Sequence, residues 1–187
     1  MRLRVEDINL VLKALRRVTD FRIAIDGGAH LGVWTRFYSE FFDAVHAFEP
    51  SDETFDQLVL NLSGFPNVSC HHRALFDADG HGEVVGKKSW SRRVVLANGD
   101  GFNLRSLDSF GFAACGLLKL DLEGAELPAL RGADALVRRF RPVVVVEVKG
   151  RTAGKYGWKP ADLDRWFLAK TYRLLTSEHP NMVYVPT

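Results

Sequence analysis

A few groups of residues have the types and the spacing to do chemistry together. The run Asp26-Gly27-Gly28-Ala29-His30-Leu31-Gly32 places glycines where a chain turns tightly and lets a ligand approach its backbone. Free amides at the start of a following helix would favour a carboxylate or phosphate there, although a plain tight turn needs the same glycines. Glu49 follows roughly 20 residues later, where an acid closing a second strand commonly holds both hydroxyls of a ribose. The bland alternative is a solvated carboxylate at a strand end. Glycine turn and acid together indicate an adenosine-containing ligand without saying which.

The run Leu118-Lys119-Leu120-Asp121-Leu122-Glu123 alternates, so Lys119, Asp121 and Glu123 share one face of a strand. A central parallel strand is normally apolar on both faces, and charges there need a partner or a purpose. Lys119 can pair with Asp121 in a purely structural network. The other reading brings Asp121 and Glu123 out at the ligand crevice, where nicotinamide dehydrogenases have no general need for an acidic pair. Glu147 ends a further strand, and with that strand placed beside this one Asp121, Glu123 and Glu147 could hold a hard divalent cation through oxygens. The simpler view gives Glu147 a substrate contact or only water.

The elements that must position these groups alternate between short apolar runs and helical patterns, which argues for an α/β fold with a mostly parallel sheet. Within residues 1–20, an entry helix spans 5–18, with Ile8, Val11, Leu12 and Leu15 at helical spacing. Strands are expected at 21–25, 44–48, 67–75, 117–122 and 142–148, the last a valine-rich run of the kind covered on both faces. Helices are expected at 31–42, from a cap at Ser51 or Asp52 to about 62, at 125–140 and at 161–170. Turn clusters flank two apolar runs between 76 and 105, which predicts a β-hairpin insertion. Strands at 172–175 and 182–185, with Asn181 in the turn, predict an antiparallel C-terminal hairpin. No linker or repeat divides the 187 residues, which read as a single domain.

Composition excludes more than it selects. A net charge of +2 gives no push toward nucleic acid. Cys70 and Cys115 form no CxxC pair, against a disulfide scaffold or structural zinc. No apolar run approaches the ~20 residues of a membrane span, and the charged start lacks the apolar region of a signal peptide. The expected location is therefore cytoplasmic, as a homodimer or monomer.

The residues resemble a known family. The set Asp26-x-Gly28-Ala29-x-x-Gly32-x-x-Thr35, Ala47-Phe48-Glu49-Pro50, Ala74-Leu75-x-Asp77, Leu107-Asp108-Ser109 and Leu118-Lys119-x-Asp121-x-Glu123-Gly124-Ala125-Glu126 looks like the FkbM-type methyltransferases. The resemblance runs in order from about 22 to 148, and its most specific element is the last run. It implies a Rossmann-like class I methyltransferase fold with a seven-stranded sheet. It also implies S-adenosylmethionine as cofactor, S-adenosylhomocysteine as product, and O-methylation of a sugar, glycan or natural product. Gly27 and His30 depart from the pattern, which usually has a β-branched residue and an asparagine there.

On that resemblance, Gly28, Ala29, His30 and Gly32 would hold the methionine portion. Asp26 would fix the loop or the amino group, and Thr35 and Pro50 belong to the same binding set. Glu49 would bind the ribose, and Arg73, Ala74 and Leu75 would border the adenine. Asp121 and Glu123 would face the transferred methyl as base or acceptor clamp. Trp90, in the charged stretch 87–93 of the insertion, could stack on a sugar ring, and Glu147 could contact the acceptor. Two other classes remain open at this stage: methylation of nucleic acid or protein on the same fold, and a cofactor-binding module without turnover. Near-neutral charge and the lack of an Asn-Pro-Pro-Tyr-like run after the fourth strand count against the first, and the acidic pair counts against the second. An NAD-dependent dehydrogenase is the weakest alternative.

Overall fold

The computed structural model describes residues 5–85, 93–97 and 101–187. From the N-terminus come α1 (Val5–Leu15), β1 (Ile23–Gly27), α2 (Val33–Ser39), β2 (Ala44–Phe48) and α3 (Asp52–Leu62). Short strands follow: β3 (Val68–His71), β4 (Ala74–Leu75), β5 (Gly80–Val85), β6 (Arg93–Ala97) and β7 (Phe102–Arg105). Next come β8 (Leu117–Leu120), α4 (Glu126–Arg131), α5 (Asp134–Phe140) and β9 (Val143–Glu147). The chain closes with α6 (Gly150–Ala153), α7 (Pro160–Leu168), β10 (Tyr172–Glu178) and β11 (Asn181–Pro186).

A seven-stranded sheet has the order β10-β11-β9-β8-β1-β2-β3. Its pairs are parallel except those made by β11, which runs against both β9 and β10. The strands are apolar on both faces because helices cover both. Ala24, Val45, Leu117, Val143 and Val145 pack with α1 residues Leu10, Val11 and Ala14 and with Tyr38 of α2. Ile25, Leu118, Leu120, Val144 and Val146 face the other way, against Leu127, Leu130, Val137 and Phe167 of α4, α5 and α7. The valine run of β9 therefore contributes alternate residues to two cores.

The insertion supplies the expected hairpin, β5 against β6, within a second sheet of order β4-β7-β5-β6. Four expectations change, the first being the strand expected over 117–122, which ends at Leu120 and leaves Asp121 and Glu123 in the loop beyond it. The strand expected over 67–75 breaks at 72–73, so that β3 closes the large sheet and β4 begins the small one. The helix expected over 125–140 divides at Gly132, whose backbone passes Phe76 so closely that a Cβ would lie 2.1 Å from its carbonyl oxygen. Asp108 caps the second piece, accepting from the amides of Ala135 and Leu136 at 2.9 and 2.8 Å. Asn181 belongs to the C-terminal hairpin's strand, paired with Glu178, and not to its turn. Ser51 is the N-cap of α3. Among the described residues, no helix is long and apolar enough to cross a membrane.

Candidate active site

The strand order reverses between β1 and β8, since the chain leaves β1 toward β2 on one side and β8 toward β9 on the other. Connections diverge at such a switch point and leave a crevice beyond the carboxyl ends of the strands. Here the crevice is a cavity of about 500 Å³. The glycine turn and the end of β2 border one part of it, and the ends of β8 and β9 border the other.

The turn is bound to both neighbouring strands. The amides of Gly28 and Ala29 donate to the Phe48 carbonyl at 2.9 and 3.0 Å, and the Asp121 amide donates to the Gly27 carbonyl at 3.0 Å. Asp26, one residue before the glycines, does not reach the cavity and is wholly buried. Its carboxylate accepts from the Thr35 hydroxyl at 2.7 Å and from Lys119 Nζ at 3.2 Å. Lys119 is its register partner on β8, so the charges meet across adjacent strands. Burial alone would lower the Lys119 pKa, but the charges of Asp26 and Asp121 outweigh it and the net shift is upward.

Glu49 follows β2 and faces the cavity while almost fully buried. The His30 amide donates to one of its oxygens and the Ser51 amide to the other, each at 3.0 Å. The acid thus ties the glycine turn to the end of β2 and keeps its remaining lone pairs for a ligand. Arg73, Ala74 and Leu75 border the cavity because the chain crosses there from the large sheet to the small one. Phe48 lines the same side and stacks on His71, ring centroids 4.5 Å apart.

At the other end, carboxylate oxygens of Asp121, Glu123 and Glu147 all lie within 4.8 Å of one another. The loop carrying Asp121 and Glu123 is held from behind. Glu126 accepts from the amides of Leu122 and Gly124 at 2.8 and 3.1 Å, and the Trp158 indole donates to the Gly124 carbonyl at 2.8 Å. Burial raises the Glu126 carboxyl to about 7 despite those amides. Lys149 reaches into the cluster, 3.0 Å from Glu123 and 2.5 Å from Glu147. Burial works to raise Asp121, yet Lys119, the hydrogen bond with Glu147, Lys149 and His30 hold it below the usual carboxylate range. Burial, the hydrogen bond with Asp121 and its negative charge push Glu147 up to about 7.

The Methyltransferase FkbM domain family matches residues 26–174. The chain belongs to this family. Among solved structures, this FkbM-family chain is similar to the methyltransferase FkbM from Methylobacillus flagellatus KT, with 17% identity and a TM-score of 0.65. That match covers 89% of this chain and 43% of the other, so the chain spans less than half of that relative's length. A methyltransferase-like protein from Streptococcus mutans, in complex with SAH, shares 15% identity at a TM-score of 0.59, over 98% of this chain and 97% of its own. An rRNA methylase from Streptococcus thermophilus shares 13% at 0.55, over 98% and 96%. At these identities the likeness establishes the fold, that of the class I S-adenosylmethionine methyltransferases. No match occurs among curated protein sequences.

Most of the FkbM-type residues singled out from sequence lie on one cavity. Gly28, Ala29 and His30 line it from the turn, Glu49 and Pro50 from the end of β2. Asp121 and Glu123 line it from the loop after β8, and Glu147 from the end of β9. Three sit elsewhere. Asp26 and Thr35 are buried behind the turn, bonded to each other, and Gly32 backs onto Leu58 and Leu62 of α3. Lys119 pairs with Asp26 at 3.2 Å and not in a direct bridge to Asp121. Trp90 lies outside the described residues. Trp34 and Lys149 line the cavity without having been singled out, and Phe48, quoted within the family-like run but given no role, lines it too. For Lys149 the available signal was a second charge two residues beyond Glu147, where the apolar strand had already ended.

The carboxyl pair has a measurable signature. Glu147 is expected to titrate near 7 in a carboxyl-resolved NMR pH series. Asp121→Asn removes the neighbouring negative charge and should move that titration clearly downward. Because the folded Glu147 is raised above its ordinary 4.5, the native state binds more protons than the unfolded chain between about 4.5 and 7. Its contribution to stability therefore falls as pH rises through that window. An unmoved titration in Asp121→Asn would show that the two carboxyls do not interact.

Proposed function

We propose that the protein is an S-adenosylmethionine-dependent O-methyltransferase acting on a hydroxyl of a sugar, glycan or natural product. The observation that carries this reading is the continuity of one cavity from Glu49 and the glycine turn to the Asp121–Glu147 pair. The residues fit the cofactor. Glu49 offers a fixed carboxylate to vicinal hydroxyls, Arg73, Ala74 and Leu75 offer a largely apolar border for a base, and the ionised Asp121 favours a nearby positive charge. When bound, S-adenosylmethionine supplies an electrophilic methyl group on a cationic sulfur.

The chain's own residues would handle the acceptor. Removing a hydroxyl proton calls for a base whose pKa lies near the working pH, an effect typically of about 10²–10⁴-fold. Glu147, raised to about 7, matches that need better than Asp121, which is held ionised and is the weaker base. Glu123 is largely exposed and paired with Lys149, which suits contact with the acceptor's periphery. Holding donor and acceptor in line is the larger share of the work, worth roughly 7–11 kcal/mol in well-oriented systems.

Thermal unfolding with S-adenosylmethionine, S-adenosylhomocysteine and NAD at equal concentration tests the cofactor assignment. A ligand at 100 times its Kd adds about 2.7 kcal/mol, or roughly 5–10 °C at this chain length. The two sulfur nucleosides should produce that shift and NAD should not. Glu49→Ala should weaken S-adenosylhomocysteine binding about 10- to 100-fold, the scale of hydrogen bonds to a charged group. Unchanged affinity in that variant would remove Glu49 from the ribose site, and a shift with NAD alone would overturn the methyltransferase reading.

A further inference from the structure

Three carboxylates converging from two strand ends onto one point form an arrangement that can hold a hard cation. Asp121, Glu123 and Glu147 meet that description, with their ligand oxygens inside 4.8 Å. A cation of the chain's own is already among them. Lys149 leaves the end of β9 and lies 3.0 Å from Glu123 Oε1 and 2.5 Å from Glu147 Oε2. Its charge also acts on Asp121. An ammonium has three N–H donors in a compact, rotatable head. Two are directed at Glu123 and Glu147, which leaves one for an oxygen in the cavity that Lys149 lines.

We propose that Lys149 is a built-in cation that occupies the place of a divalent metal among Asp121, Glu123 and Glu147 and positions the acceptor's hydroxyl oxygen. Its role as a positioning residue rests on the methyl-transfer reading above; its occupation of the cation site does not. The ammonium ties the loop after β8 to the end of β9, so the carboxylates remain together without an exogenous ion. It also sets a limit on the acceptor: the group placed there is a neutral hydroxyl that can accept from an ammonium, not a second cation.

The Lys149 head is partly exposed, 38% for its side chain, so its replacement should leave the fold in place. Manganese binding by calorimetry or paramagnetic relaxation, on the wild type, Lys149→Met and Lys149→Arg, tests the proposal. Wild type and Lys149→Arg should bind Mn²⁺ weakly, and Lys149→Met should bind it at least tenfold more tightly. Adding Asp121→Asn to Lys149→Met should abolish the gain. Equally tight binding in wild type and Lys149→Met would show that the ammonium does not hold the site. Undetectable binding in both would show that the carboxylates do not form one, and either result overturns the proposal. The S-adenosylhomocysteine shift on the same samples keeps the two readings apart, because its absence in wild type defeats the cofactor assignment and leaves the manganese comparison intact.

Discussion

Asp26→Ala is expected to cost about 3–5 kcal/mol of stability, the scale for removing one partner of a buried ion pair. Lys119 is almost completely enclosed, with 8% of its side chain exposed, and Asp26 has none. Taking away the carboxylate strands an ammonium inside the sheet and also orphans the Thr35 hydroxyl that donates to it at 2.7 Å. The midpoint of thermal unfolding should fall by roughly 6–20 °C. The pH dependence supplies an independent check. In the wild type the charge of Asp26 holds Lys119 above its ordinary pKa against burial. In the variant burial prevails, and the folded lysine is depressed below its unfolded value. The unfolded chain then binds more protons than the native one, so the variant should gain stability as pH rises through the alkaline range. Urea unfolding across that range measures it. Asp26→Ala combined with Lys119→Met should recover much of the loss, because no unpaired charge remains. A small loss in the single variant would mean that Asp121, also close to Lys119, carries the lysine's charge without Asp26.

That pair also marks where sequence reading stops. The alternation of Leu118-Lys119-Leu120-Asp121 says that Lys119 must have a partner, and Asp121 is the nearest acid in sequence. Only the register of β1 against β8 places Asp26 opposite Lys119, and register depends on which strands are neighbours. The same adjacency creates the carboxylate cluster, since Glu147 joins Asp121 only because β9 lies beside β8. Strand existence, by contrast, was legible from local pattern: the Val143–Val146 run has no polar face to offer water, and both of its faces are in fact covered. The breaks at 72–73 and at Gly132 were not, because each depends on a distant backbone. Gly132 divides a helix at the point where Phe76 crosses it, and nothing in the residues 125–140 announces that neighbour. Lys149 escaped notice for a similar reason. A lysine past a strand end reads as solvated, and only the turn back toward Glu123 makes it part of the site.

Gly28→Ala should be the most damaging single methyl that can be added near the cavity. Gly28 has φ +75°, where an L side chain costs roughly 1–2 kcal/mol in backbone strain. Its Cβ would also lie 2.0 Å from the carbonyl oxygen of Asp121. That oxygen is backbone, and it belongs to the residue whose amide is hydrogen-bonded to Gly27 at 3.0 Å, so it cannot swing aside as a side chain would. Relief requires the turn to pull away from the end of β8, which opens the switch-point crevice and shifts the His30 amide off Glu49. A combined loss of about 3 kcal/mol or more is expected, with the S-adenosylhomocysteine thermal shift abolished. Gly27→Ala provides the contrast one residue away. Its Cβ would meet the methyl tips of Leu75 and Leu120 at 2.8 and 2.9 Å, atoms that can rotate, and its φ is not in the left-handed region. A cost of only about 1–2 kcal/mol and retained ligand binding are expected there, within the range of ordinary overpacking. If both alanines behave alike, the contact between turn and Asp121 is not what shapes the site. If Gly28→Ala alone loses the ligand, the glycine at this position is required by the approach of one backbone to another, and the cavity's geometry depends on that contact.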